Sequence, residues 1–144
     1  LGTMEEADPL AARIEEASAL LVEKRDGRSF RYAYWIWKDP WMTVSDDTYV
    51  ANLLSLVGGV NVYGSEPARY PTTTPAESLA RSARVQIFAS EPYPFTEEKH
   101  GEVTAKLFGA SAQRLFVDGD DYCWHGARTL EGLRAASDLI KFGE

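Results

Sequence analysis

The stretch FRYAYWIW, residues 30–37, restricts the fold more than any other part of the chain. Its side chains alternate between two faces, and both faces are largely apolar: Tyr32, Tyr34 and Ile36 on one, Ala33, Trp35 and Trp37 on the other. A strand with one face in water alternates apolar with polar residues, so this pattern indicates a central strand covered on both sides, as in a parallel sheet. The segment after it is predicted to be a loop, because Pro40 cannot join a strand ladder.

Helices and strands alternate along the rest of the chain. Short apolar runs predict further strands at residues 60–63, 85–89 and 114–118. Helical spacing of apolar residues predicts helices between them, two of which start at the caps Thr74 and Thr96. The Thr74-Pro75-Ala76-Glu77 run has the form of a capping box. This order predicts an α/β fold of three layers, with helices on both faces of a mainly parallel sheet.

Composition excludes several classes of function. The 144 residues suit one domain with a real core. The 22 acidic and 15 basic residues give a net charge of −7, which argues against nucleic acid or an anionic membrane as the main partner. No apolar run is long enough to cross a bilayer. Cys123 is the only cysteine, so neither an internal disulfide nor a cysteine-built metal site can form.

Large aromatic rings recur in the loops that leave the predicted strands. In open parallel sheets, ligands bind outside the carboxyl ends of the strands. Rings that merely cover the end of the sheet are the alternative for any one residue, but the group as a whole favours a ligand-facing rim. The loop residues that suggest this rim are Trp41, Met42, Tyr70, Tyr93, Phe95, Tyr122, Trp124, His125 and Arg128.

Enzymatic readings have less support. Cys123 and His125 lie two residues apart, and on an extended backbone they would point the same way, as a thiolate–imidazole pair does. No third group completes that pair, and a metal held only by protein usually needs three or four ligands. The sequence thus predicts no catalytic set and no protein-held metal. A small α/β enzyme using His125 and Cys123 remains an alternative, as does an interaction domain without a small ligand.

Several segments resemble a known family. These are YWIWKDPWMTVSDDTYVANLLSLVGGVNVYGSEPARYPTTTPAESLARS, the strand exit SEPYPF, and DYCWHGARTLEGL. They are similar to the carboxy-terminal lobe of class III solute-binding proteins of ABC importers, the helical-backbone receptors for cobalamin, haem and ferric siderophores. The resemblance spans roughly residues 29–140, and the cobalamin-type receptors are the nearest branch.

The resemblance implies a binding protein without a cofactor of its own. The ligand of such receptors sits between two lobes, and a corrinoid is the first choice here, followed by haem or a ferric siderophore. The positions it assigns to ligand binding agree with the predicted rim: Trp41, Tyr70, Tyr93, Tyr122, Trp124, His125 and Arg128.

The same resemblance predicts domains, partners and location. Residues 1–28 would be the end of the helix that connects two lobes, and residues 29–144 the carboxy-terminal lobe. An amino-terminal lobe would then be missing, as in a cut domain, a proteolytic remnant or a natural half-receptor. Glu77, or its neighbour Ala76, is predicted to dock onto the permease. A periplasmic or cell-envelope location and self-association through the exposed rim are also expected.

Overall fold

A computed structural model describes residues 9–123 and 128–144. Its centre is a sheet of four parallel strands in the order β2-β1-β3-β4. Tyr34 pairs with Ile87 across β1 and β3, and Ile87 pairs with Leu115 across β3 and β4. The strands are β1 (Phe30–Trp35), β2 (Gly59–Asn61), β3 (Val85–Ala89) and β4 (Gln113–Val117).

Helices cover both faces of this sheet, which confirms the predicted three-layer α/β architecture. They are α1 (Pro9–Arg25), α2 (Tyr49–Leu56), α3 (Pro75–Ala80), α4 (Glu97–Phe108), α5 (Gly119–Cys123) and α6 (Arg128–Ser137), followed by a 3-10 helix (Asp138–Phe142). None of the helices in these two ranges has both the length and the apolar character that crossing a membrane requires.

The alternation in β1 supplies two separate cores. Tyr32 and Tyr34 are fully buried on one face, against α1, α2, α6 and the 3-10 helix. Trp35 is fully buried on the other face, in an aromatic cluster with Phe88 and Phe108. The apolar character of both faces therefore reflects burial on both sides, as the sequence predicts.

A buried amide fixes the packing of α3 against the sheet. The Gln86 side-chain oxygen accepts from Trp35 Nε1 at 2.7 Å. Its Nε2 donates to Ser78 Oγ at 2.9 Å and to the Ala83 carbonyl at 3.0 Å. Because a buried polar group without partners is costly, this network holds β1, β3 and α3 in one arrangement.

Threonine caps begin three helices. Thr48, Thr74 and Thr96 each accept a hydrogen bond from the backbone N–H three residues ahead. The capping box is half formed, because the Glu77 carboxylate accepts from the Thr73 hydroxyl rather than from the Thr74 backbone. Asp8 directly precedes Pro9, a sequence that predicts a helix cap there, but Asp8 lies outside the described residues.

β2 and β4 each begin one residue earlier than predicted, and larger differences lie at the end of β1 and after β4. β1 ends at Trp35 instead of residue 37, because Ile36 N–H donates to Met42 at 3.0 Å and turns the chain into a tight loop. Residues 119–123 form helix α5, where the sequence suggested a loop. Asp118 explains this helix, since its Oδ1 accepts from the Asp120 N–H at 3.0 Å.

Gly58 joins α2 to β2 in a conformation that suits glycine. Its φ is +94°, and its carbonyl accepts from Phe30 N–H at 2.9 Å. A Cβ at this position would lie 2.4 Å from the Arg28 carbonyl oxygen. The connection therefore requires both the left-handed backbone and the missing side chain.

Candidate ligand-binding cleft

A cavity of about 880 Å³ opens beyond the carboxyl ends of β1 and β3. This is the edge of a parallel sheet where ligands bind, and the volume lies within the range of small-molecule sites. The wall is mostly apolar and aromatic. Its lining residues are Tyr34, Ile36, Trp37, Met42, Val44, Asp47, Thr48, Tyr49, Val50, Asn52, Arg69, Tyr70, Pro92 and Tyr122.

The floor of the cleft belongs to the core. Tyr34, the second-last residue of β1, is fully buried, and Tyr122 from α5 is 2% exposed. Their rings lie 5.9 Å apart in a tilted arrangement. Burial raises the pKa of Tyr122, and the charges of Asp121 and Asp138 raise it further, so its phenol stays neutral at physiological pH.

Two exposed rings form the rim. Trp37 is 39% exposed and Tyr70 is 49% exposed, although both line the cavity. Trp37 is supported from behind by Tyr93, whose ring centroid lies 5.3 Å away in an edge-on arrangement. Large rings that stay half in water at the mouth of an apolar cavity are typical of binding sites.

The segment that carries Tyr70, residues 69–72, is fixed along residues 41–45. Thr43 N–H donates to Pro71 at 3.0 Å, and Ser45 N–H donates to Arg69 at 2.9 Å. Met42 also bridges Thr72 in an antiparallel sense. This segment, called the rim segment below, is therefore attached to the exit of β1 by regular backbone pairing.

The charged groups of the wall neutralise each other. Arg69 Nη2 lies 3.1 Å from Asp47 Oδ2, and Nε of the same arginine donates to that oxygen at 3.3 Å. Both side chains are more than half exposed. The described part of the wall thus presents rings, aliphatic groups, the polar side chains of Thr48 and Asn52, and one ion pair between Arg69 and Asp47.

The structure brings some of the predicted site residues together and separates others. Tyr70 and Tyr122 both line the cleft. Trp124 and His125 lie outside the described residues. Arg128 begins α6, but its side chain also lies outside the description.

Trp41 and Tyr93 lie elsewhere than the rim prediction placed them. Trp41 stacks on Phe95 at 5.9 Å and packs edge-on against Trp35 at 5.3 Å, within the aromatic cluster on the other face of the sheet. Tyr93 packs behind Trp37 rather than beside the cavity. The bond from Ile36 to Met42 turns the loop so that Trp37 and Met42, not Trp41, meet the cleft.

Most lining residues were not predicted as site candidates, and those with the largest or charged side chains at the mouth are Trp37, Tyr49 and Arg69. Strict alternation placed Trp37 on the same buried face as Ala33 and Trp35, but β1 ends at Trp35, before Trp37 is reached. Arg69 gave the clearest available signal, because it directly precedes Tyr70 in a segment rich in turn residues. Tyr49 stands immediately after the cap Thr48, at the start of a helix that points its first turn at the cleft.

The thiolate–imidazole pair loses its geometric basis. Cys123 is the last residue of helix α5, so its backbone is not extended as that pairing assumed. His125 falls outside the described ranges. Within residues 9–123 and 128–144, no three His, Cys, Asp or Glu side chains are grouped as a metal site would need.

Glu77 sits away from the cleft, at the start of α3. Its carboxylate accepts from Thr73 and lies 3.6 Å from Arg81, while half of its side chain stays exposed. The Arg81 guanidinium lies over the Tyr63 ring at 4.3 Å and 3.4 Å from Glu66. Glu77 is thus held in a surface network and keeps a free outer side.

The sequence and the fold were compared with those of known proteins. No protein-family model matches the sequence, and no curated protein matches it either. A periplasmic binding protein from Veillonella parvula aligns with 98% of the chain and 52% of its own length, at 19% identity and a TM-score of 0.76. The chain has the fold of one half of a periplasmic binding protein.

Other solved structures agree with this periplasmic-binding-protein fold. The periplasmic vitamin B12 binding protein BtuF of Vibrio cholerae has 17% identity and a TM-score of 0.65, over 88% of this chain and 50% of its own. The periplasmic haem-binding protein RhuT from Roseiflexus sp. has 18% identity and a TM-score of 0.71, over 92% of this chain and 53% of its own. The chain spans about half the length of these proteins, so the resemblance seen in the sequence is confirmed for the fold.

Proposed function

We propose that this chain is one ligand-gripping lobe of the substrate-binding component of an ABC importer. Its ligand is a metal chelate, with a corrinoid as first choice and haem or a ferric siderophore next. The observation that carries this proposal is the cavity of about 880 Å³ with an apolar floor and the half-exposed rings Trp37 and Tyr70 at its mouth. A large flat ligand presents faces to such rings, and burying those faces stabilises the complex.

The charge of the wall supports the order of these ligands. Asp47 already neutralises Arg69, so the described wall offers no uncompensated cation to a ligand carboxylate. A corrinoid periphery is rich in neutral amides, whereas haem carries two carboxylates. The wall is therefore better matched to the corrinoid.

Binding without turnover is part of the proposal. Cys123 ends helix α5, which differs from the extended backbone that the enzymatic alternative assumed. The neighbours in fold are binding proteins. By the same reasoning the chain works in the periplasm or cell envelope, with a second lobe and a permease as its partners.

Truncation of the rim tests the proposed cleft. In Tyr70→Ala, cobalamin binding to the chain should weaken about tenfold, because losing a ring that packs against the ligand costs on the order of 1–2 kcal/mol. Tyr70→Phe keeps the ring and should bind like the unchanged protein. Titration of all three proteins with cobalamin, followed by tryptophan fluorescence and calorimetry, makes the comparison.

Two variants separate the cleft from general surface effects. Leu107 is 41% exposed on α4 and does not line the cavity, so Leu107→Ala should leave binding unchanged. If Tyr70→Ala and Leu107→Ala bind cobalamin, haem and a ferric siderophore equally well, the rim does not contact the ligand. A complete two-lobed receptor containing this chain that binds none of the three at millimolar concentration would support the interaction-domain alternative instead.

We infer that the free side of Glu77 meets a basic surface of the permease. In Glu77→Gln the hydrogen bond from Thr73 can remain while the charge is lost, so folding should change little. Association of the complete receptor with its importer should become a few-fold slower, since charge complementarity acts mainly on encounter rate. The matched control is Glu98→Gln, which removes the same charge from an exposed residue on α4. Equal transport by both variants would show that Glu77 only stabilises α3.

A further inference from the structure

The outer edge of β4 is the longest open strand edge in the described chain. The sheet order β2-β1-β3-β4 leaves β2 and β4 at its two ends, and β2 has only three residues. β4 has five residues, with β3 on one side and no described strand on the other. An open edge of this kind is a template for pairing with another strand.

The hydrogen-bonding groups available at this edge follow from the inner pairing. Gln113 N–H donates inward to Arg84 at 2.8 Å, and the Val117 carbonyl accepts from Ser90 at 3.0 Å. Because backbone groups alternate along a strand, the N–H and C=O groups of Arg114 and Phe116 point outward. They form the set that an added strand would meet.

The side chains along the edge are apolar in the middle and charged at the ends. Leu115, Phe116 and Val117 are only half-buried, and a groove of about 500 Å³ runs beside them. Arg114 stands at the start of the strand and Asp118 directly after its end. Asp120 and Glu91 extend the acidic end, where their mutual hydrogen bond and the nearby charge of Asp118 raise the pKa of Glu91.

This sequence is complementary to itself in the antiparallel direction. With Phe116 opposite Phe116 of a second copy, Leu115 faces Val117 and Arg114 faces Asp118, twice by symmetry. The outward backbone groups of Arg114 and Phe116 then lie at hydrogen-bonded positions. If the second strand slides by two residues, Arg114 faces Phe116 and loses its opposite charge. The pairing of Arg114 with Asp118 therefore favours the register centred on Phe116.

We propose that two copies of this chain associate through antiparallel pairing of their β4 edges, centred on Phe116. The pair extends the four-stranded sheet into a continuous eight-stranded one and covers the half-buried side chains of both edges. Arg114 can take part without losing its present contacts: its bonds to Gly101 and Thr104, both 3.0 Å, and its ion pair with Glu97 at 3.9 Å all use Nη1, so Nη2 stays available to the Asp118 of the second copy. The proposal concerns a face other than the cleft and does not depend on which ligand binds there.

A charge reversal at Asp118 tests the pairing. Asp118→Lys sets two like-charged pairs across the two-fold axis, so the dissociation constant of the dimer, measured by sedimentation equilibrium on the 144-residue chain, should rise roughly tenfold or more. The control Glu102→Lys makes the same charge change on α4, at a side chain that is 89% exposed, and should leave the dimer intact. Circular dichroism melting of each variant confirms that it is folded.

Exchanging the two charges between positions 114 and 118 tests whether these two residues face each other in the pair. The double variant Arg114→Glu with Asp118→Lys restores opposite charges across the axis and should recover most of the lost dimer. If the unchanged protein is monomeric at every accessible concentration, the proposal is wrong. So does a dimer that ignores Asp118→Lys, or one that Tyr70→Ala dissociates, because the latter would place the contact at the aromatic rim.

Discussion

Gly58→Ala is expected to lower the free energy of unfolding by about 3 kcal/mol or more, which is a large share of the stability of a small domain. The φ of +94° costs an L-residue about 1–2 kcal/mol. The added Cβ would also lie 2.4 Å from the Arg28 carbonyl oxygen, so backbone must move. Such overpacking typically costs another 1–3 kcal/mol, roughly.

A second glycine separates these two contributions. Gly27 has a φ of +73°, and nothing lies within 4 Å of the Cβ that a substitution would add. Gly27→Ala should therefore cost only about 1–2 kcal/mol, from the backbone conformation alone. Urea unfolding of the unchanged protein and both variants measures the difference. Equal destabilisation by the two substitutions would show that the chain around Arg28 relaxes freely and that the contact carries no cost.

The chain alone should bind its ligand about a thousandfold more weakly than a complete two-lobed receptor. Suppose the complete receptor binds at about micromolar, or about −8 kcal/mol, and the lobes share the contacts equally. One lobe then keeps about −4 kcal/mol, which is roughly millimolar. Because the entropic cost of association is not halved with the contacts, the lone lobe falls on the weak side of that value.

Calorimetry of the 144-residue chain with cobalamin, haem and a ferric siderophore measures this directly. Nanomolar binding by the monomer would mean that the cleft is complete without a second lobe. Sedimentation at the same ligand concentrations is the necessary companion measurement. If binding is tight only when two copies associate, the second copy supplies the missing contacts and the half-site arithmetic still holds for each chain.

The fold was predictable because its strongest signals are local. Apolar residues on both faces of β1 require cover on both sides, and Thr74 and Thr96 start their helices through hydrogen bonds that span three residues. These features depend little on distant parts of the chain. The parallel direction of the strands follows from the same alternation of elements, whereas the order β2-β1-β3-β4 does not.

The site was predictable only in its location. Its edge of the sheet follows from topology, and Tyr70 and Tyr122, two of the predicted site residues, line the cavity at that edge. Which ring enters the cavity depends on the tight loop closed by two backbone bonds, from Ile36 N–H to Met42 and from Met42 N–H to Trp37. This loop places Trp37 rather than Trp41 at the cavity, and spacing along the sequence carries no signal for it.

The pairing of the rim segment with residues 41–45 affects how the protein tells one ligand from another. Flexible loops can adapt to ligands of many shapes. Here the rim segment is already held by backbone hydrogen bonds from Thr43 and Ser45. Little ordering has to be done on binding, so little affinity is lost to it. In the proposed site, a mouth held in this way favours ligands whose width fits it and disfavours wider ones.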